Sequence, residues 1–129
     1  MTPLPVVYVS DMEKSLRFYR CLGLAERTRS RSNAWVELSG PDGQLALHRA
    51  EGMSPPDPPA EPAEAVAAGR VTLAFVCPGP LEELAQRLAL AGFATRRGIA
   101  DEAFGRSLVV ADPDGLLIQV NEHDEELYT

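Results

Sequence analysis

Nothing limits the possible folds of this chain more than its spelling of the same order of structural signals twice. Residues 4–9, Leu-Pro-Val-Val-Tyr-Val, are rich in strand formers. Pro5 has no N–H to give to a ladder, which points to an edge position or a strand start. Ser10-Asp11-Met12-Glu13 has the form of a capping box, with Ser10 accepting from the Glu13 N–H while Glu13 reaches back. Met12, Leu16, Tyr19 and Leu22 follow at helical spacing, widened by Phe18. Gly23 suits the left-handed position just past a helix end. The second half repeats this order: a strand at 71–76, a Pro78-Gly79-Pro80 turn, a helix stripe of Leu81, Leu84, Leu88 and Ala91, and a stop at Gly92. Ser10 and Gly79 lie 69 residues apart, and so do Gly23 and Gly92.

Strand-like segments and one kind of turn follow each helix. Gly40-Pro41-Asp42-Gly43 joins residues 34–38 to 44–49, and Asp112-Pro113-Asp114-Gly115 joins 107–111 to 116–121. Pro presets the first turn position, and Gly accepts the left-handed one. Each half therefore reads β-α-β-β-β, one helix against one short sheet, which is an α+β solution. The 129 residues suffice for a single domain with a real core. Within it the pseudo-repeats span about 1–50 and 70–125. Between them, 51–69 is expected to be an exposed tether, with Pro55, Pro56, Pro58, Pro59 and Pro62 at its start. A lid over a site is the other reading of that segment.

Composition narrows the function classes. The net charge of −7 repels phosphate backbones, so no nucleic-acid partner is expected. No apolar run approaches the roughly 18 residues of a membrane span, and the N-terminus lacks the form of a secretion signal. The expected location is the cytoplasm. Cys21 and Cys77 fit no zinc or redox spacing and read as buried thiols. No phosphate-binding glycine loop, nucleophile elbow or HExxH zinc motif is present.

The stretch from Val9 to Tyr19, then Leu22-Gly23-Leu24, Phe104-Gly105, and Asp112-Pro113-Asp114-Gly115 with Ile118 resemble the vicinal oxygen chelate superfamily. That group includes glyoxalase I, bleomycin-resistance proteins, fosfomycin-resistance enzymes and extradiol dioxygenases. The resemblance covers nearly the whole chain. It implies two tandem βαβββ modules forming a curved, mostly antiparallel sheet cleft. It also implies a homodimer, and in the enzymatic members a divalent metal held by His, Glu or Gln side chains from the first and later strands of each half. Here the matching positions are Leu4, Thr72 (or Val71 or Leu73), Ala46 or Leu47, and Gln119. Aliphatic side chains cannot ligate, threonine is a poor neutral ligand, and one glutamine cannot hold an ion. No metal and no cofactor are therefore expected.

Other residues are candidates for binding a ligand. Alternation places Asn121 and Leu117 on the face of Gln119, and Glu37 on the face of Trp35. Trp35 offers a stacking platform, or core packing. His48 is a candidate anchor or general base. Arg27, Arg29 and Arg31 alternate along one strand, and read as a same-face row for an acidic ligand or as a solvated face. Arg96, Arg97 and Arg106 read the same way.

The function expected is a metal-free module that binds a small planar or aromatic molecule through Trp35, Glu37, His48, Gln119 and Asn121. The alternative is a lyase, isomerase or dioxygenase of the same superfamily. It would use a divergent metal site at His48 and Gln119, or metal-free acid–base chemistry by His48 and Glu37. A purely structural or regulatory partner domain is a third reading.

Overall fold

The computed structural model describes residues 1–51, 71–124 and 126. The chain divides into two compact units, Met1–Pro55 and Pro56–Thr129. The proline-rich tether expected at 51–69 lies outside the described residues except for Glu51.

The first unit contains β1 (Val6–Val9), α1 (Met12–Cys21), β2 (Ala25–Arg29), β3 (Trp35–Ser39) and β4 (Gln44–Arg49). Its sheet has the order β1-β4-β3-β2. The second unit contains β5 (Leu73–Val76), α2 (Leu81–Leu90), β6 (Thr95–Glu102), β7 (Gly105–Ala111) and β8 (Leu117–His123), in the order β5-β8-β7-β6. In each sheet the first strand runs parallel to the last and the other pairs are antiparallel. The βαβββ reading therefore describes both units, with first strands that start two residues later than expected. β1 is an edge strand, as Pro5 suggests, and the Pro5 carbonyl still accepts from the Ala46 N–H at 2.9 Å.

One side of each sheet packs on its helix. In the first unit α1 packs against β4. Leu16, Phe18 and Tyr19 are buried on the helix, and Val7, Val36, Leu38, Leu45 and Leu47 on the strands. In the second, α2 packs against β6 and β8, with Leu81, Leu84 and Leu88 buried beside Leu108, Val110, Ile118 and Val120. Each such side chain removed from water contributes roughly 1.5–3 kcal/mol before entropy is counted. The other side of each sheet is not packed on that unit's helix and carries most of the polar and aromatic strand residues.

The helix ends explain the repeat. Both stops are Schellman motifs, in which two backbone N–H groups past the last turn bond back to it. Gly23 (φ +94°) donates to the Arg20 carbonyl and Leu24 to that of Tyr19. Gly92 (φ +89°) donates to Ala89, and Phe93 to Leu88. The starts differ from expectation. Asp11, not Ser10, caps α1, its carboxylate accepting from the Lys14 N–H at 3.0 Å. Asp and Ser cap about equally well, and Glu13, which a capping box needs to reach back, pairs with Arg29 instead. Pro80 at the start of α2 makes no side-chain cap bond. The Leu81 N–H is satisfied by Glu122 Oε2 at 2.9 Å, from β8 at the far end of the sequence. No helix among the described residues is long and apolar enough to cross a membrane.

Candidate functional site

The ladders decide what each sheet presents on the side away from its helix. In the first unit Trp35 sits directly opposite His48, and His48 directly opposite Tyr8. The three rings form a row across β3, β4 and β1. The Trp35 and His48 centroids are 5.8 Å apart at 61°, and those of His48 and Tyr8 5.5 Å apart at 55°. These are edge-to-face or tilted contacts, the arrangement that ring quadrupoles favour. Trp35 and His48 are half-buried, and Tyr8 is 56% exposed. Trp35 Nε1 donates to Glu37 Oε2 at 3.1 Å, which fixes the carboxylate at the edge of the indole. Glu37 lies opposite Ala46, whose small side chain leaves the carboxylate uncrowded from that strand. Trp35, Glu37 and His48 are thus brought together. Tyr8 was not foreseen, because only the parallel pairing of β1 with β4 sets it beside His48. Ser39 and Gln44, at the other end of this side, help line a cavity of about 460 Å³ together with Thr2, Pro3 and Pro5. That cavity does not include the ring row.

The second unit presents amides and an ionic group, with a tilted Phe104–His123 ring pair at the far end of β8, centroids 5.3 Å apart. Gln119 Nε2 donates to Asn121 Oδ1 at 2.8 Å, and both are half-buried. Asn121 lies opposite Ser107, and Gln119 opposite Val109. The buried Ser107 hydroxyl accepts from Arg97 Nη2 at 2.6 Å and donates to Glu102 Oε1 at 2.7 Å, with Arg97 and Glu102 3.7 Å apart. Sequence reasoning did not single out Ser107 or Glu102, since neither stands in a motif.

The arginine rows do not form. A bulge in β2 between Glu26 and Thr28 breaks the alternation. It turns Arg29 to the helix side, where it bonds Glu26 and Glu13. Those carboxylates hold the Arg29 guanidinium above its ordinary pKa, the Glu26 hydrogen bond contributing most. Arg31 lies past the end of the strand. In the second unit Arg106 also faces the helix side, bonding Glu82 at 2.6 Å and Glu122 at 2.9 Å. The Arg106 hydrogen bonds hold the Glu82 and Glu122 carboxyls below the usual carboxylate range. These arginines are structural.

The model of one protein family, the Glyoxalase/Bleomycin resistance protein/Dioxygenase superfamily, matches residues 4–120. The chain belongs to this superfamily. A glyoxalase/dioxygenase from Nostoc punctiforme is 25% identical, with a TM-score of 0.75 over 96% of this chain and 91% of that one. A virulence protein from Salmonella typhimurium is 23% identical, with a TM-score of 0.65 over 96% and 97%. A glyoxalase/bleomycin resistance protein/dioxygenase from Alicyclobacillus acidocaldarius is 12% identical, with a TM-score of 0.69 over 100% and 96%. The likenesses below 25% identity bear on fold alone. No curated protein matches the sequence.

The ladders also align the two halves of this superfamily member on each other. Val6 pairs with Ala46 as Ala74 pairs with Gln119. The counterpart of Gln119 is therefore Ala46 and not Leu47, and that of Leu4 is Thr72. With that alignment, the positions at which the resemblance to metal-binding superfamily members implies ligands read Leu4, Ala46, Thr72 and Gln119. His48 is the counterpart of Asn121, one pleat further along. Among the described residues no three His, Cys, Asp or Glu side chains group closely enough to hold an ion. One amide, one hydroxyl and two aliphatic side chains do not fit a divalent metal, whose sites need imidazole or carboxylate donors.

Proposed function

We propose that this superfamily member is a metal-independent binding protein for a small planar or aromatic molecule, which rests against Trp35, His48 and Tyr8. The observation that carries this reading is the ring row on the side of the sheet that its own helix leaves uncovered. Flat rings with few torsions present large apolar area at low entropic cost, and Glu37 adds a fixed polar anchor. In the second unit, considered by itself, Gln119 and Asn121 offer amide donors and acceptors.

Trp35 is the only tryptophan, so its emission reports on this surface. Titration with a set of mono- and bicyclic aromatic compounds should give a saturable emission change, which His48→Ala and Tyr8→Ala weaken. If no planar compound alters the emission, the reading fails. Stoichiometric uptake of zinc, manganese or ferrous iron, with a rise in Tm that His48→Ala abolishes, would instead favour the metal-dependent lyase, isomerase or dioxygenase. We propose further that the protein works as a homodimer, as the resemblance to the bleomycin-resistance type implies. Sedimentation equilibrium should then read twice the chain mass of 14.0 kDa, and a monomer would end this proposal.

A further inference from the structure

We infer that the molecule taken by the Trp35 face is a cation: a planar aromatic ring system carrying a positively charged nitrogen, which Glu37 and the surrounding rings hold together. This rests on the reading above that the ring row is the ligand surface, and adds the charge class of the ligand.

The charge pattern of the face carries the inference. Among the described residues that the ladders place on this side of the sheet, Glu37 is the one carboxylate, and none is a lysine or arginine. Glu13, Glu26, Glu82, Glu102 and Glu122 each have an arginine partner. Glu37 has no ion-pair partner among the described residues, and Arg27, in the neighbouring bulge, makes no ion pair with it. Its hydrogen bond from Trp35 Nε1 engages Oε2 and not Oε1. A half-buried carboxylate with one hydrogen bond and no countercharge is available to pair with a cation.

The rings add to the same preference. Indole and phenol faces attract cations through their quadrupole, indole most strongly. Trp35 and Glu37 stand two residues apart on one strand, and their 3.1 Å hydrogen bond sets the carboxylate at the edge of the indole. A bicyclic cation that lays its rings on the indole can turn its nitrogen toward that edge. An anion would meet the Glu37 carboxylate, to which no lysine or arginine among the described residues is ion-paired, and the net charge of −7 disfavours its approach.

Isothermal titration of the intact chain at mildly alkaline pH, where quinoline is uncharged, tests this with three probes of one shape. These are N-methylquinolinium, quinoline and quinoline-2-carboxylate. The cation should bind about tenfold more tightly than quinoline, and the carboxylate more weakly than either. Glu37→Gln keeps an acceptor for Trp35 Nε1. It should bring the cation to within about twofold of quinoline measured on the same variant. Quinoline binding as tightly as the cation in the wild type overturns the cation inference and leaves the binding surface standing. That comparison needs no variant to fold. Failure of all three probes to bind overturns the inference together with the reading beneath it.

Discussion

Gly105 of β7 should not tolerate a side chain. It opens the strand at φ +145°, a conformation that L side chains rarely adopt. A Cβ there would lie 2.1 Å from the Glu122 carbonyl oxygen, 2.9 Å from the Asp124 nitrogen and 3.1 Å from the Glu122 carbonyl carbon. All three are backbone atoms, so no side chain can swing aside. Gly105→Ala must therefore push β8 away where Gly105 pairs with His123 and where the Asp124 N–H bonds the Phe104 carbonyl at 2.8 Å. Backbone strain of about 1–3 kcal/mol and one lost hydrogen bond of about 1 kcal/mol give a cost of roughly 2–4 kcal/mol. Displacing Glu122 also disturbs its bonds to Arg106 and to the Leu81 N–H. Gly43→Ala is the control, since a Cβ there meets nothing within 4 Å, and it should stay within about 0.5 kcal/mol of wild type. Urea midpoints followed by circular dichroism measure both. A Gly105→Ala protein as stable as Gly43→Ala would refute the reasoning.

Asp11→Ala should cost about 1 kcal/mol through loss of the α1 cap, and Ser10→Ala less; the same urea series ranks them. The Ser15 hydroxyl is buried in α1 with no hydrogen-bond partner among the described residues. Ser15→Ala should therefore leave Tm unchanged or raise it, and a fall of several degrees would show an unseen partner. Arg106 holds the Glu122 carboxyl below its ordinary value of 4.5. The stability this supplies is present above that value and is lost as the pH falls through the lower value of the folded state. Glu122→Gln should thus be less stable than wild type at neutral pH, and the gap should narrow as the solution is acidified below 4.5. A gap that widens on acidification would contradict the assignment.

The parts of the fold legible in the sequence were those written locally. Gly23, Gly92 and Gly115 announce chain reversals because glycine takes their positive φ cheaply, whereas Gly43 of the first Pro-Asp-Gly turn, expected to be left-handed too, is not. Strand alternation likewise set Trp35 with Glu37, and Gln119 with Asn121. What stayed hidden depends on contacts distant along the chain. The parallel pairing that brings Tyr8 to His48 joins residues 8 and 48. Glu122 caps a helix that starts at residue 81. The β2 bulge, which dissolves the arginine row, inserts a residue that no propensity marks. The choice of Asp11 over Ser10 fell between two good capping residues, and the fate of Glu13 decided it.

Aligning the halves by their ladders separates what makes the fold from what makes the site. On the helix sides, Val36, Leu38, Leu45 and Leu47 correspond to Leu108, Val110, Ile118 and Val120, all apolar and buried. On the opposite sides, Trp35, Glu37, Ala46 and His48 correspond to Ser107, Val109, Gln119 and Asn121, which share no chemistry. The first set must exclude water beneath a helix, so any polar or truncated member leaves a hole or an unsatisfied group. In the second set Ala46, Ser107 and Val109 are buried as well, while Trp35, Glu37, His48, Gln119 and Asn121 are only half-buried, and the two halves have diverged there. The stability costs should differ accordingly. His48→Asn, which writes the second half's residue into the first, should change stability by less than about 1 kcal/mol while weakening aromatic ligands. Leu47→Ala, its chain neighbour on the helix side, should cost about 2–5 kcal/mol. If His48→Asn destabilises as much as Leu47→Ala, the ring row is a structural element and not a surface kept for a ligand.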